Sequence, residues 1–173
     1  WSGVIESTRH EPNEKFKTDL LASLGFTDTL QASVANRAIQ ILNDRGENPE
    51  TRETAARFLS FSRSPKTIEL LFKMLERGHS LELQHTIVSL LPDLPIHIVS
   101  NKVLNAELWN SLTPRNRNLL IAGLLSREAT TIGLLTAIRS KSFPVNALST
   151  AQRNRLSKHK VDHIRKMADE LFA

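Results

Sequence analysis

Ser64-Pro65-Lys66-Thr67-Ile68-Glu69-Leu70-Leu71-Phe72-Lys73-Met74-Leu75 is the stretch that decides the fold. Ile68, Leu71, Phe72 and Leu75 recur at spacings of three and four, which places them on one stripe of a helix and on no single face of a strand. Its first two residues give the start. The Ser64 hydroxyl can accept a bond from an unpaired N–H of the first turn, and Pro65 lacks the N–H that would otherwise go unpaired. Asn48-Pro49 and Thr113-Pro114 repeat this pairing, and Ser149-Thr150-Ala151-Gln152 has the form of a capping box.

The same periodicity runs outward in both directions. Leu30, Val34, Ala38 and Ile41 form one stripe. Leu83, Ile87, Leu90 and Leu91 form another. Ile132, Leu135 and Ile138 form a third, and Val161, Ile164, Ala168 and Leu171 a fourth. No stretch alternates with period two, so no sheet is expected. Gly46 and Gly78 follow helical stretches and suit the left-handed residue after a helix end, while Pro92 and Pro95 close the helix that ends near Leu91. The predicted helices lie near 13–24, 28–43, 49–62, 65–77, 80–91, 106–112, 114–126, 129–140, 149–158 and 162–172, about ten in all. Residues 94–105 are the least regular, with room for one more short turn.

The helices also repeat. With a shift of 64 residues, Ser62-Arg63 falls on Ser126-Arg127, Thr67-Ile68 on Thr131-Ile132, Leu70-Leu71 on Leu134-Leu135, Met74 on Ile138 and Arg77 on Lys141. Half of that shift is the length of one helix pair in a helical solenoid. A lone pair cannot bury its stripe, whereas stacked pairs bury a continuous core. The fold expected is therefore all-α: a single α-solenoid of HEAT-like helix pairs over residues 1–173, with an irregular helical bundle as the alternative.

Composition bounds the chemistry. The 173 residues are 40% apolar and 24% charged, which suits a globular domain with a core. No run approaches the length of a membrane span, so no membrane insertion is expected in this segment. The chain opens at Trp1 without a methionine and is read as a segment of a longer multidomain protein. There are no cysteines, so disulfides, thiolate nucleophiles and cysteine metal or haem attachment are excluded within these residues.

Charge is unevenly spread. Residues 1–100 carry 11 basic and 13 acidic side chains, and residues 101–173 carry 12 and 5. Between Thr113 and Lys160 the one acid is Glu128, against Arg115, Arg117, Arg127, Arg139, Lys141, Arg153, Arg155, Lys158 and Lys160. These nine form a candidate basic interaction surface for an anionic partner. Nucleic acid is not the expected partner, because aromatic platforms for base stacking are scarce around these residues. The plainer reading is a surface that faces solvent or a neighbouring domain.

Other candidates have plain readings too. His159 and His163 are four apart, a spacing that presents two metal ligands when both lie on one helix. A helix break is expected between Lys158 and Asp162, however, and no third ligand is evident. Trp109 and Asp93 are the residue types used by helical-repeat glycosylases, but Leu108, Trp109 and Leu112 read as an ordinary buried face. Glu50 and Glu53 fall in a first helical turn, where acids favour the dipole. No glycine-rich phosphate loop or nucleophile elbow occurs. No catalytic residue, cofactor or metal is expected in this segment.

Two C-terminal stretches, Phe143 to His159 and Ile164 to Phe172, carry a family resemblance. The pattern is Leu148-Ser149, Gln152, Arg153, Arg155, Leu156, His159, Ile164, Arg165, Ala168, Leu171 and Phe172. It resembles the end of the HEAT-like region in large membrane-bound dehydrogenases of the planctomycete type. Where that family has an Asp-Pro turn after the His, this chain has Val161-Asp162. The resemblance covers about thirty of the 173 residues. It implies a β-propeller, sugar-dehydrogenase-like domain before this region and a cytochrome c domain with a Cys-x-x-Cys-His motif after it. It further implies an exported or periplasmic protein in which this region is a non-catalytic connector to neighbouring domains. The alternative is a stand-alone binding module that uses its basic half on nucleic acid or an acidic protein.

Overall fold

The computed structural model describes residues 28–62, 64–76 and 78–172. The helix expected near 13–24, together with Arg63 and Arg77 of the repeat, lies outside them. Among the described residues every regular element is helical and there is no strand. The α-helices are α1 (Asp28–Asn43), α2 (Pro49–Ser62), α3 (Pro65–Lys73), α4 (Leu81–Leu90), α5 (Ile96–Ile98), α6 (Ala106–Ser111), α7 (Pro114–Leu124), α8 (Glu128–Arg139), α9 (Thr150–Leu156) and α10 (Asp162–Phe172). Leu91–Asp93 and Val145–Ala147 are 3-10 turns, and Val99–Val103 continues α5 as a π turn. No single described helix is long and apolar enough to cross a membrane.

The predicted starts are set by the predicted caps. The Ser64 side chain accepts from Thr67 N–H, Thr113 from Asn116 N–H, and Ser149 shares a reciprocal capping box with Gln152. Asn48 Oδ1 accepts from Glu50 N–H at 2.9 Å, one residue into α2 beyond Pro49. Gly78 takes the left-handed conformation expected of it, with φ 102°. Gly46 does not. There Asp44 turns the chain by accepting from Gly46 N–H through Oδ1 at 2.9 Å, an Asx turn that needs no positive φ. The left-handed position that the sequence did not mark is Lys141, φ 62°, after α8. Lys141 N–H donates to Ile138 O and Ser142 N–H to Ala137 O, the two bonds of a Schellman motif.

The chain divides into two compact units, Trp1–Ile87 and Val88–Ala173. In the first, α1 packs on α2 and α2 on α3. Their shared core holds Ala38, Leu42, Ala55, Ala56, Leu59, Ile68, Leu71 and Met74. The α1 stripe is turned slightly from its expected position, so that Leu42 is buried and Ile41 half-buried.

In the second unit α8 is the hub and packs on α5, the π turn, α7 and α10. It buries Leu134, Leu135, Ala137 and Ile138. Gly133 lets Leu104 and Ile96 approach α8, and Gly123 lies under the ring of Pro92. Phe143 is buried edge-on to Trp109, with ring centroids 5.1 Å apart. α3 and α8 begin 63 residues apart and α2 and α7 begin 65 apart, bracketing the shift of 64. In the 63-residue register Thr67, Ile68, Leu71 and Met74 match Thr130, Thr131, Leu134 and Ala137, and all eight are buried.

Candidate interaction surface

The nine candidate basic residues separate into two groups. Arg117, Arg127 and Arg153 have side-chain partners within the fold. Arg115, Arg139, Lys141, Arg155, Lys158 and Lys160 are exposed, and their side chains have no partner among the described residues. Arg127 is paired with Asp93 across two exposed side chains.

Arg117 and Arg153 share a construction. Each is the fourth residue after a helix cap, and its own N–H makes the first helical bond, to Thr113 O and Ser149 O respectively. A side chain at that position leans toward the helix start and reaches the segment before it. Arg117 donates through Nε to Trp109 O at 2.8 Å and through its terminal guanidinium nitrogen to Asn110 O at 3.0 Å. Its guanidinium also lies over the Trp109 ring, 5.2 Å from the centroid. Arg153 donates to Leu148 O and Val145 O, both at 3.0 Å, and lies over Phe172.

Two further arginines do the same. Arg52, four after Asn48 and only 7% exposed, donates twice to Leu42 O, at 3.2 and 3.0 Å. Arg165, four after Val161, donates to His159 O at 3.2 Å and to Asp162 Oδ1 at 2.6 Å. At each of these joints a guanidinium bonds carbonyls at the end of the preceding helix or turn, of which Trp109 O and Val145 O also accept a backbone N–H, from Leu112 and Leu148. A count of charge sees these four as surface cations. The signal that identifies them is their constant distance from a cap residue.

The exposed cations do not form one surface. Arg139 and Lys141 precede the loop that leads into the start of α9, where Arg153 meets Phe172 near the end of α10. Arg155, Lys158 and Lys160 lie at the other end of α9, beside the start of α10. Arg115 is at the start of α7. Lys166, which lies beyond the basic run ending at Lys160, is exposed in α10 one turn after the exposed His163.

The remaining candidates are occupied. His159 lies in the turn after α9 and accepts from Val161 N–H through Nδ1 at 3.1 Å, while His163 is in the first turn of α10, so the two do not share a helix face. Trp109 is 9% exposed, held between Arg117 and Phe143. Glu53 accepts from the buried Thr86 hydroxyl at 2.7 Å, and Glu50 is exposed in the first turn of α2. His79 Nδ1 lies 3.5 Å from an Arg52 guanidinium nitrogen. Burial holds the His79 imidazole below the usual histidine range, the positive charges of Arg45, Arg52 and Lys73 act the same way, and Glu76 opposes them. Among the described residues no group of three or more His, Cys, Asp or Glu is placed to hold a metal ion. Comparison with protein-family models, with curated proteins and with solved structures returns no match to this chain.

Proposed function

We propose that this chain is a non-catalytic helical-repeat scaffold, a HEAT-like α-solenoid segment that presents surfaces to neighbouring domains. The observation that carries this reading is the recurring arginine joint. Arg52, Arg117, Arg153 and Arg165 each stand four residues after a cap and tie the new helix to the carbonyls before it. A construction used four times along one chain is what a repeat of helical units would leave. The fixed joints also suit a spacer, whose task is to hold a distance. The residues with the most chemical potential, Trp109, Asp93, Glu53 and His159, are committed to packing or pairing.

In the setting that the C-terminal resemblance implies, the scaffold would space or dock a dehydrogenase-like domain against a cytochrome c domain in an exported protein. Two measurements test this. A stacked solenoid should scatter X-rays with a radius of gyration well above the roughly 16 Å of a compact chain of this length. A value at that limit overturns the solenoid. The reading frame beyond Ala173 tests the redox setting. A Cys-x-x-Cys-His motif there supports it, and a stop codon removes it.

A second reading is favoured by one observation, the six cations between residues 113 and 160 whose side chains are exposed and have no partner among the described residues. It is a binding module whose partner is anionic. Retention of the domain on an acidic protein at physiological salt, lost when those cations are neutralised, would establish it.

A further inference from the structure

The corner between α9 and α10 carries exposed positive charge that the fold does not use for itself. It is also firmly held. Ser157, Lys158 and His159 N–H groups donate back into the last turn of α9, to Arg153 O, Arg155 O and Leu156 O. His159 Nδ1 takes Val161 N–H. Arg165 closes the turn from the other side through His159 O and neutralises Asp162, the one carboxylate of residues 155–166.

Outside this pinned frame stand Arg155, Lys158, Lys160, His163 and Lys166. All five are exposed, and none of their side chains has a hydrogen-bonding or ion-pair partner among the described residues. Arg155 and Lys158 are three apart on one continuous turn, as are His163 and Lys166 on the next helix, so each pair shares a face. The inner sides of the same elements are apolar and buried, at Leu156, Ile164, Met167 and Ala168. Like charges at these short spacings repel one another.

We infer that the α9–α10 corner, through Arg155, Lys158, Lys160 and Lys166, is a docking surface for an acidic protein segment rich in Asp and Glu. The inference rests on the reading of this domain as an interaction scaffold and names where its partner binds. Charge complementarity selects an anionic partner, and the make-up of the corner selects among anions. Residues 155–166 contain no Phe, Trp or Tyr to serve as a platform on which single-stranded bases could stack. The corner also carries none of the exposed large hydrophobic side chains that would anchor it in a lipid interface. Several lysine and arginine heads on a rigid turn suit carboxylates that arrive in succession, with fast, salt-sensitive association.

The test uses the whole chain and a fluorescein-labelled polyglutamate peptide, read by anisotropy at physiological ionic strength. Two variants carry the same change in net charge: Lys158→Glu with Lys160→Glu at the corner, and Arg115→Glu with Arg139→Glu elsewhere. The substituted side chains are all exposed, and circular dichroism verifies that both variants stay helical. The corner variant should lose about tenfold or more in affinity while the other stays near wild type. Equal losses in the two variants would mean that only net charge matters, and would overturn the corner as a site. Loss confined to the Arg115 and Arg139 variant would move the surface and leave the scaffold reading standing. Tighter binding of a DNA oligonucleotide or of phosphatidylserine vesicles than of the peptide, abolished by the corner variant, would replace the acidic protein with a phosphate-bearing partner.

Discussion

Replacing Gly123 with Ala tests how closely the second unit is packed. Gly123 lies near the end of α7, and a Cβ added there would stand 2.5 Å from Pro92 Cγ and 3.3 Å from Pro92 Cβ. Ordinary carbon contacts lie at about 3.5–4.0 Å. Pro92 is buried, and its ring is tied to the backbone, so it cannot swing away as a flexible side chain would. Inserting a methyl group into such a contact costs about 1–3 kcal/mol. Alanine regains up to about 1 kcal/mol through its better helix propensity. The net loss expected is about 1–2 kcal/mol, a fall in melting temperature of roughly 2–8 °C for a chain of this size. Thermal unfolding followed by circular dichroism gives the first number. The decisive measurement is the same substitution in a Pro92→Ala background, where Cγ is absent. There Gly123→Ala should be neutral or stabilising, which gives a coupling of at least about 1 kcal/mol between the two sites. If Gly123→Ala stabilises the wild-type chain, or costs the same in both backgrounds, the close approach is not what holds this position to glycine.

Three further outcomes are expected. Arg52→Met should destabilise the chain by about 2–3 kcal/mol in urea unfolding and Arg153→Met by about 1 kcal/mol, because Arg52 leaves a buried carbonyl unpaired whereas the carbonyls freed by Arg153 are nearer water. Equal losses would refute that ranking. Burial pushes the His79 imidazole below its ordinary value of about 6.5 in the folded state, so its contribution is present above about pH 6.5 and is lost as pH falls through the lowered folded value. His79→Gln should flatten that part of the stability profile, and an unchanged slope would count against it. Lys141→Gly should raise the urea midpoint by up to about 1 kcal/mol of stability, since the left-handed backbone there strains any residue with a Cβ. A lower midpoint would show that the strain is already relieved by the Schellman bonds.

The helix starts are legible in the sequence because proline and a capping side chain act within one turn. Asn48-Pro49, Ser64-Pro65 and Thr113-Pro114 fix α2, α3 and α7 at the residues observed. Apolar spacing locates the stripes but not their rotation, as Ile41 and Leu42 show, because neighbouring positions differ by less than a third of a turn and packing decides between them. The segment after Pro95 is nearly blank to such a reading. A π turn arises from tertiary demand on Val99, Val103 and Leu104, and no local propensity announces it. The charge surface is only half legible. Counting cations finds the basic half but treats Arg117 and Arg153 like Lys158 and Lys160. Whether a guanidinium turns inward depends on which carbonyls stand within its reach, and that is a property of the joint, not of the composition. Lys166 escapes the count for the converse reason: it is sequentially outside the basic run but lies on the helix next to the charged turn.

The π turn also bears on how this chain tolerates changes in length. Leu104 N–H donates to Val99 O at 2.9 Å, closing a turn one residue wider than an α-helical one. Val99, Val103 and Leu104 are buried, whereas Ser100, Asn101 and Lys102 are exposed. Deleting Asn101 would bring the three buried residues to spacings of three and four, the α-helical face, with each still directed inward. The turn can therefore lose one codon without rotating the helices after it, and deletions among homologous genes should gather at residues 100–102 and avoid the tightly capped helix starts.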